Sequence, residues 1–202
     1  VTQFLLIRNM IAMTPNTLKI LHNVPDKLVQ DLQALWTSGN VDLTHKIYGD
    51  QYQEYIQCKK PHEAYDLLWE WFNVDLHLTW MVNPPHSGLG PIHTDSNGPG
   101  CVNFPIQVDL ENSCFCVANH RLGEPTVRAP HEGEQINGSA LRFEYEPEIY
   151  HWYNIRKPIF FSTKAAHSAY NHSDKERVLL SVSFPSMDEL HDIERIMPRE
   201  WF

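Results

Sequence analysis

No apolar run in the chain approaches the roughly 18 residues of a membrane span. The opening stretch "VTQFLLIRNMIAM" is partly apolar, but it lacks the basic start and small-residue cleavage site of a secretory signal. Basic residues are scarce: 16 Lys+Arg stand against 25 Asp+Glu, a formal net charge of −9. A nucleic-acid binder displays a basic stripe, and none is visible. Cysteine is scarce as well, limited to Cys58, Cys101, Cys114 and Cys116. Cys114 and Cys116 have one residue between them, where zinc knuckles and redox motifs have two. They read as buried, reduced thiols in a reducing, cytoplasmic compartment. Repeats, low-complexity tracts and linkers are absent, and 202 residues suit one domain. The chain starts at Val1, which allows a trimmed chain or a fragment.

The expected organisation over 1–202 is a helical buttress (1–74), a β-rich core (75–185) and a C-terminal segment (186–202). "PDKLVQDLQALWTSGN" places Leu28, Val29, Leu32, Leu35 and Trp36 on one helical face, with Gly39 as the stop. A second helix is expected from Pro61 through "HEAYDLLWEWF", burying Tyr65, Leu68, Trp69 and Phe72. From about residue 75 the pattern changes to short runs broken by Pro, Gly and Asn. "DLHLTWMVN", "PIHTD", "CVNFPIQVDL", "SCFCVAN", "SALRFEYE", "IYHWYNI", "PIFFS", "AAHSAY" and "RVLLSVSF" each suit a strand. Such runs without intervening helices point to an antiparallel sandwich or barrel.

Within "PIHTDSNGPG", His93 and Asp95 are two apart, so on a strand both side chains point one way. They supply two of the three ligands in a 2-His-1-carboxylate face. In "FFSTKAAHSAYNHSDKERVLLSVSF" a hairpin is expected to turn at "NHSDK", with His167 on the first strand and Arg177 opening the second. Val178, Leu180, Val182 and Phe184 form an apolar face, whereas Arg177 and Ser181 turn towards something polar. A buried unpaired guanidinium is costly, so an inward Arg177 needs an anion.

The order His93-Thr94-Asp95 … His167 … Arg177 resembles the iron(II)- and 2-oxoglutarate-dependent oxygenase superfamily. "HSAYN … RVLLS" is most similar to its aspartyl/asparaginyl β-hydroxylase-like branch, which includes prolyl hydroxylases acting on the free amino acid. The resemblance implies a double-stranded β-helix (jelly-roll). It implies iron(II) on His93, Asp95 and His167, and Arg177 on the far carboxylate of 2-oxoglutarate. Oxygen is the oxidant, and succinate and carbon dioxide are the co-products. The branch carries an Asn four and an Arg ten residues after the distal histidine, here Asn171 and Arg177. Its animal aspartyl hydroxylases lack the metal-binding aspartate, whereas Asp95 is present, so their substrate does not transfer. Asn83 and Asn103, on strands expected to flank His93, and Ser181 and Asn171 are candidate cosubstrate contacts.

The implied substrate is a small molecule, an amino acid or a peptidyl side chain, held by loops around 84–90, 97–100 and 119–137. His86 and His172 read as loop or turn residues. His77 is expected to face the same side as Thr79 and Met81, and His151 suits either a pocket wall or packing. One rival reading is a cupin-type metal-binding or isomerising protein without oxygenase activity, although cupins usually supply three histidines and a glutamate. Another is a degenerate interaction protein, which a missing ligand would favour; none is missing.

Overall fold

The computed structural model describes residues 18–39, 41, 46–49, 53–95, 98–119, 126–127, 138–142 and 148–202. Helix α1 (Asp26–Thr37) buries Leu28, Leu32 and Leu35 and ends where Gly39 takes φ 73°. Helix α2 (Glu63–Phe72) starts at His62, whose Nδ1 accepts from Ala64 N–H, and stops at left-handed Asn73. It buries Ala64, Leu68 and Phe72.

Trp69 departs from expectation: it is 51% exposed. At roughly 100° per residue, the stripe through Ala64, Leu68 and Phe72 leaves Trp69 on its flank. An apolar residue type alone did not place it inside.

Two antiparallel sheets face each other. One runs β1 (Leu18–Ile20), β12 (Ile159–Ser162), β7 (Gly100–Gln107), β14 (Arg177–Ser183), β4 (His77–Asn83), β3 (Glu54–Gln57) and β2 (Lys46–Gly49). The other runs β11 (Glu148–Tyr153), β8 (Ser113–Asn119), β13 (His167–Asn171), β6 (His93–Asp95), β10 (Gly138–Arg142) and β9 (Thr126–Val127), with β5 (Gly88–Leu89) also on β13. This is a mainly β jelly-roll with helices packed on the first sheet.

Two features correct the sequence-based picture. The stretch 1–74 is not purely helical, because β1, β2 and β3 extend the first sheet on both sides. Nor do β13 and β14 form a paired hairpin. They lie in opposite sheets, β14 pairing with β4 and β7 and β13 with β8, β6 and β5. Alternation along each strand is the same whether a turn closes a hairpin or crosses a sandwich, so the sequence did not distinguish the two.

The sheets and helices enclose two separate apolar layers. Val178, Leu180, Val182 and Phe184 point away from the sheet interior, with Val102, Phe104, Leu78 and Trp80, against α1, α2 and the C-terminal segment. That segment is part of the core: it contains α3 (Leu190–Ile196) and a terminal 3-10 turn with Trp201 fully buried. Trp201 meets Phe72 edge-on at 5.6 Å and Trp71 at 5.4 Å. At about 1.5–3 kcal/mol for each fully buried large apolar side chain, this layer carries most of the stabilisation. The layer between the sheets is smaller, with Cys101, Phe115, Val117, Ile159, Phe161 and Leu179. Residues on β14 that are not apolar anchors therefore open into the inter-sheet space.

Candidate metal centre and the buried arginine

On β6, His93 and Asp95 share a face, and the ladder to β13 sets His167 directly opposite His93. The imidazole centroids are 4.5 Å apart. Asp95 Oδ1 lies 3.4 Å from His93 Nε2, and Oδ2 lies 3.4 Å from His167 Nε2. Ligand atoms about 2.1 Å from a metal at right angles stand about 3 Å apart, so these three side chains fit one face of an octahedral ion.

The histidines are aimed by their own chain. His93 Nδ1 is 2.9 Å from Pro91 O and His167 Nδ1 is 2.8 Å from Ala165 O, each a carbonyl two residues upstream. A carbonyl can only accept, so Nδ1 carries the proton and Nε2 presents a lone pair. Asp95 is fixed through its backbone, with N–H donating to Thr163 O at 2.8 Å and its own carbonyl accepting from Lys164 Nζ at 3.0 Å. Burial opposes its ionisation, but positive charge and N–H donation from His167 and then His93, supplied only when Nε2 carries a proton, hold the carboxyl well below the usual range. With Nε2 unprotonated, a bound cation has to take over that role. An ionised carboxylate facing two lone pairs is a donor set that requires a cation. Phe115 and Phe161 wall the His167 ring at 5.5 and 4.9 Å.

Asn171 lies four positions beyond His167, about 13 Å along the strand. The chain then turns and re-enters the opposite sheet at Arg177. Asn171 and Arg177 thus stand at the two ends of this turn and both bond Asn83, whose carbonyl accepts from Asn171 and whose Oδ1 accepts from Arg177.

Arg177 is 1% exposed. Its Nη1 donates to Asn83 Oδ1 at 2.7 Å, from the residue opposite it on β4. Its Nε and Nη2 are buried without a hydrogen-bond partner. No described carboxylate pairs with it; Asp174 and Glu176 are exposed. Desolvation lowers its pKa to about 10, so it is still a cation at neutral pH. Cys114 and Cys116 are close enough for a thiolate charge to act on it, but burial pushes both thiols up to about 12, so they supply none. A guanidinium fork with two free donors and no counter-ion fits a carboxylate ligand.

The remaining candidates divide by their hydrogen bonds. Asn83, Asn103 and Ser181 lie on the inter-sheet side of the first sheet. Ser181 is on Arg177's own strand, and Asn83 and Asn103 flank that strand rather than His93's, because β4 and β7 belong to the sheet across from β6. Asn83 holds Arg177. Asn103 pairs in register with Ser181, and its Oδ1 accepts from Cys101 Sγ at 3.7 Å. Ser181 is hydrogen-bonded to the same thiol. The Asn171 amide already contacts three backbone carbonyls and Ser173.

His86 and His172 are exposed at the far turn, with His86 Nε2 3.0 Å from Asp174. His77 is exposed. The His151 side chain lies outside the described residues, as do 96–97, 120–125 and 128–137, much of the expected substrate loops. All four cysteines are free and buried. Sequence reasoning missed Phe115 and Phe161, although alternation in "SCFCVAN" puts Phe115 on one face with Val117. It also missed the Pro91 and Ala165 carbonyls, which carry no side-chain signal.

No family model and no curated protein matches the chain. Its fold is similar to that of the epimerase SnoN, solved in complex with Fe3+, alpha ketoglutarate and nogalamycin RO. The TM-score is 0.56 at 13% identity, covering 86% of this chain and 79% of that one. It is also similar to SnoK, a non-heme alpha ketoglutarate dependent carbocyclase from nogalamycin biosynthesis. There the TM-score is 0.52 at 12% identity, covering 91% and 87%. No described helix is long and apolar enough to cross a membrane.

Proposed function

We propose that the chain is an iron(II)- and 2-oxoglutarate-dependent oxygenase that hydroxylates an unactivated C–H bond of a small molecule, an amino acid or a peptidyl side chain. The observation that carries this reading is the pairing, in one interior, of a 2-His-1-carboxylate face with a buried cation that has two free donors. SnoN, which shares the fold, is recorded with Fe3+ and alpha ketoglutarate.

When bound, the iron and cosubstrate supply the oxidising chemistry, with dioxygen reduced and the oxo-acid released as succinate and carbon dioxide. The chain's own contribution is placement. His93 and His167 present Nε2 and Asp95 presents its charge, so half of an octahedron is left to non-protein ligands. Arg177 takes the distal carboxylate in fork geometry, Asn83 orients the guanidinium, and Ser181 and Asn103 offer polar contacts along the same wall. Phe115 and Phe161 exclude water behind His167. A cupin-type metal-binding protein shares the triad's chemistry but has no use for a buried, unpaired Arg177.

The test incubates the iron-loaded protein with labelled 2-oxoglutarate and pools of amino acids and peptides, following succinate release and the product's mass. Substrate-stimulated succinate with one added oxygen in the product is expected. Iron binding without succinate from any pool, and without 2-oxoglutarate affinity, would move the assignment to the cupin type. The fold also houses an epimerase and a carbocyclase, so succinate release with no oxygen gained would keep the cosubstrate and reject hydroxylation.

A further inference from the structure

Asn171 is fully buried, yet it faces the Arg177 end of the interior with no spare hydrogen-bonding capacity. Its Nδ2 donates to Asn83 O (3.1 Å), Pro84 O (2.9 Å) and Lys175 O (2.9 Å), two hydrogens shared among three carbonyls. Its Oδ1 accepts from Ser173 N–H (3.3 Å) and Ser173 Oγ (2.9 Å). Ser173 Oγ also lies 2.7 Å from Lys175 O and accepts from Lys175 N–H at 3.2 Å.

These contacts join three elements: the end of β13, the end of β4 and the turn entering β14. Two of the three carbonyls it holds belong to Asn83 itself and to Lys175, two residues before Arg177. Asn83 and Arg177 are register partners, and Asn83 Oδ1 is the guanidinium's one hydrogen-bond acceptor. One carbonyl belongs to the acceptor half of that pair, and the other lies two residues before the donor half.

We infer that Asn171 is a positioning residue: a clasp across the two sheets that sets where the Arg177 fork points, and so how tightly a distal carboxylate is held. It touches no ligand itself. The inference rests on the proposed cosubstrate role of Arg177.

The test compares two oxo-acids on protein loaded with manganese(II) under anaerobic conditions. Both 2-oxoglutarate and pyruvate carry the metal-chelating oxo-acid group, but only 2-oxoglutarate has the carboxylate meant for Arg177. Asn171→Ala is expected to weaken 2-oxoglutarate by about tenfold or more, as a misplacement of the order of 1 Å does. Pyruvate and manganese affinities should stay within about twofold. Should that variant not fold, Ser173→Ala, which leaves the Nδ2 contacts in place, is expected to lower the same ratio about threefold, the worth of one hydrogen bond.

A merely structural Asn171 lowers thermal stability and leaves the ratio of the two affinities unchanged; that result in the folded variants overturns the inference alone. Wild type that binds both oxo-acids equally overturns the cosubstrate role of Arg177, and this inference with it.

Discussion

His93 and Asp95 keep about a fifth of their side chains open, 19% and 23%, and lean on each other and on His167. Arg177, in the same interior, is 1% exposed and has one hydrogen bond for its five donors. At the triad, polar groups satisfy one another in part, and backbone carbonyls fix their direction. At the arginine, neutral Asn83 is the one partner and the charge has no counterpart among the described residues. An unpaired buried charge costs several kcal/mol after relaxation. The triad end is therefore a preformed cradle, whereas the arginine end is held under electrostatic strain that a carboxylate would relieve.

The largest effect tests the cradle. His93→Ala or His167→Ala should abolish iron(II) binding and the weak metal-to-ligand charge-transfer absorption expected with 2-oxoglutarate under anaerobic conditions. Anaerobic titration followed by absorption checks both, and retention of the band in both variants would break the ligand assignment.

Next comes the cation. Arg177→Ala should cost 2-oxoglutarate affinity about 2–5 kcal/mol, as does truncating one member of a buried charge pair. Metal affinity should be untouched. Arg177→Lys should recover only part, because an ammonium lacks the two-pronged contact. Calorimetry on protein holding a redox-inert metal reads both values.

A sharper form of the contrast uses stability without ligand. Arg177→Met removes the unpaired charge at similar length, and the ligand-free protein should be unchanged or gain about 1 kcal/mol or more. Its 2-oxoglutarate-dependent rise in melting temperature should vanish. Destabilisation by this substitution would show that the guanidinium is compensated after all.

The smallest effect is at Asn83. Asn83→Ala removes a single acceptor from Arg177 and should weaken 2-oxoglutarate by about 1 kcal/mol, again without changing metal affinity.

Much of the site was legible because its signals are local. His93 and Asp95 are two residues apart, the β8 segment "SCFCVAN" matches its strand from first residue to last, and β14 shows its two faces residue by residue. What was not legible depends on partners distant in sequence. The short strands β1, β2 and β3 show too few residues for a periodicity, and the sheet edges they join define them. Trp69 has the right residue type at the wrong angle. Asn171 suits a ligand contact or a structural bond equally in sequence, and its hydrogen bonds to Asn83, Pro84, Lys175 and Ser173 depend on how the turn is folded.

The alternation along β14 also bears on how the chain folds. A one-residue slip of this strand would turn Arg177, Ser181 and Ser183 under the helices and leave Val178 and Leu180 in the interior. Driving a guanidinium and two hydroxyls among Phe104, Trp80 and Leu68 costs several kcal/mol or more. The central strand thus has no neighbouring register of comparable energy, and a mispaired β14 dissociates rather than persists. The polar side chains on the interior face of β14 also act as an error check on sheet assembly, rejecting the wrong pairing.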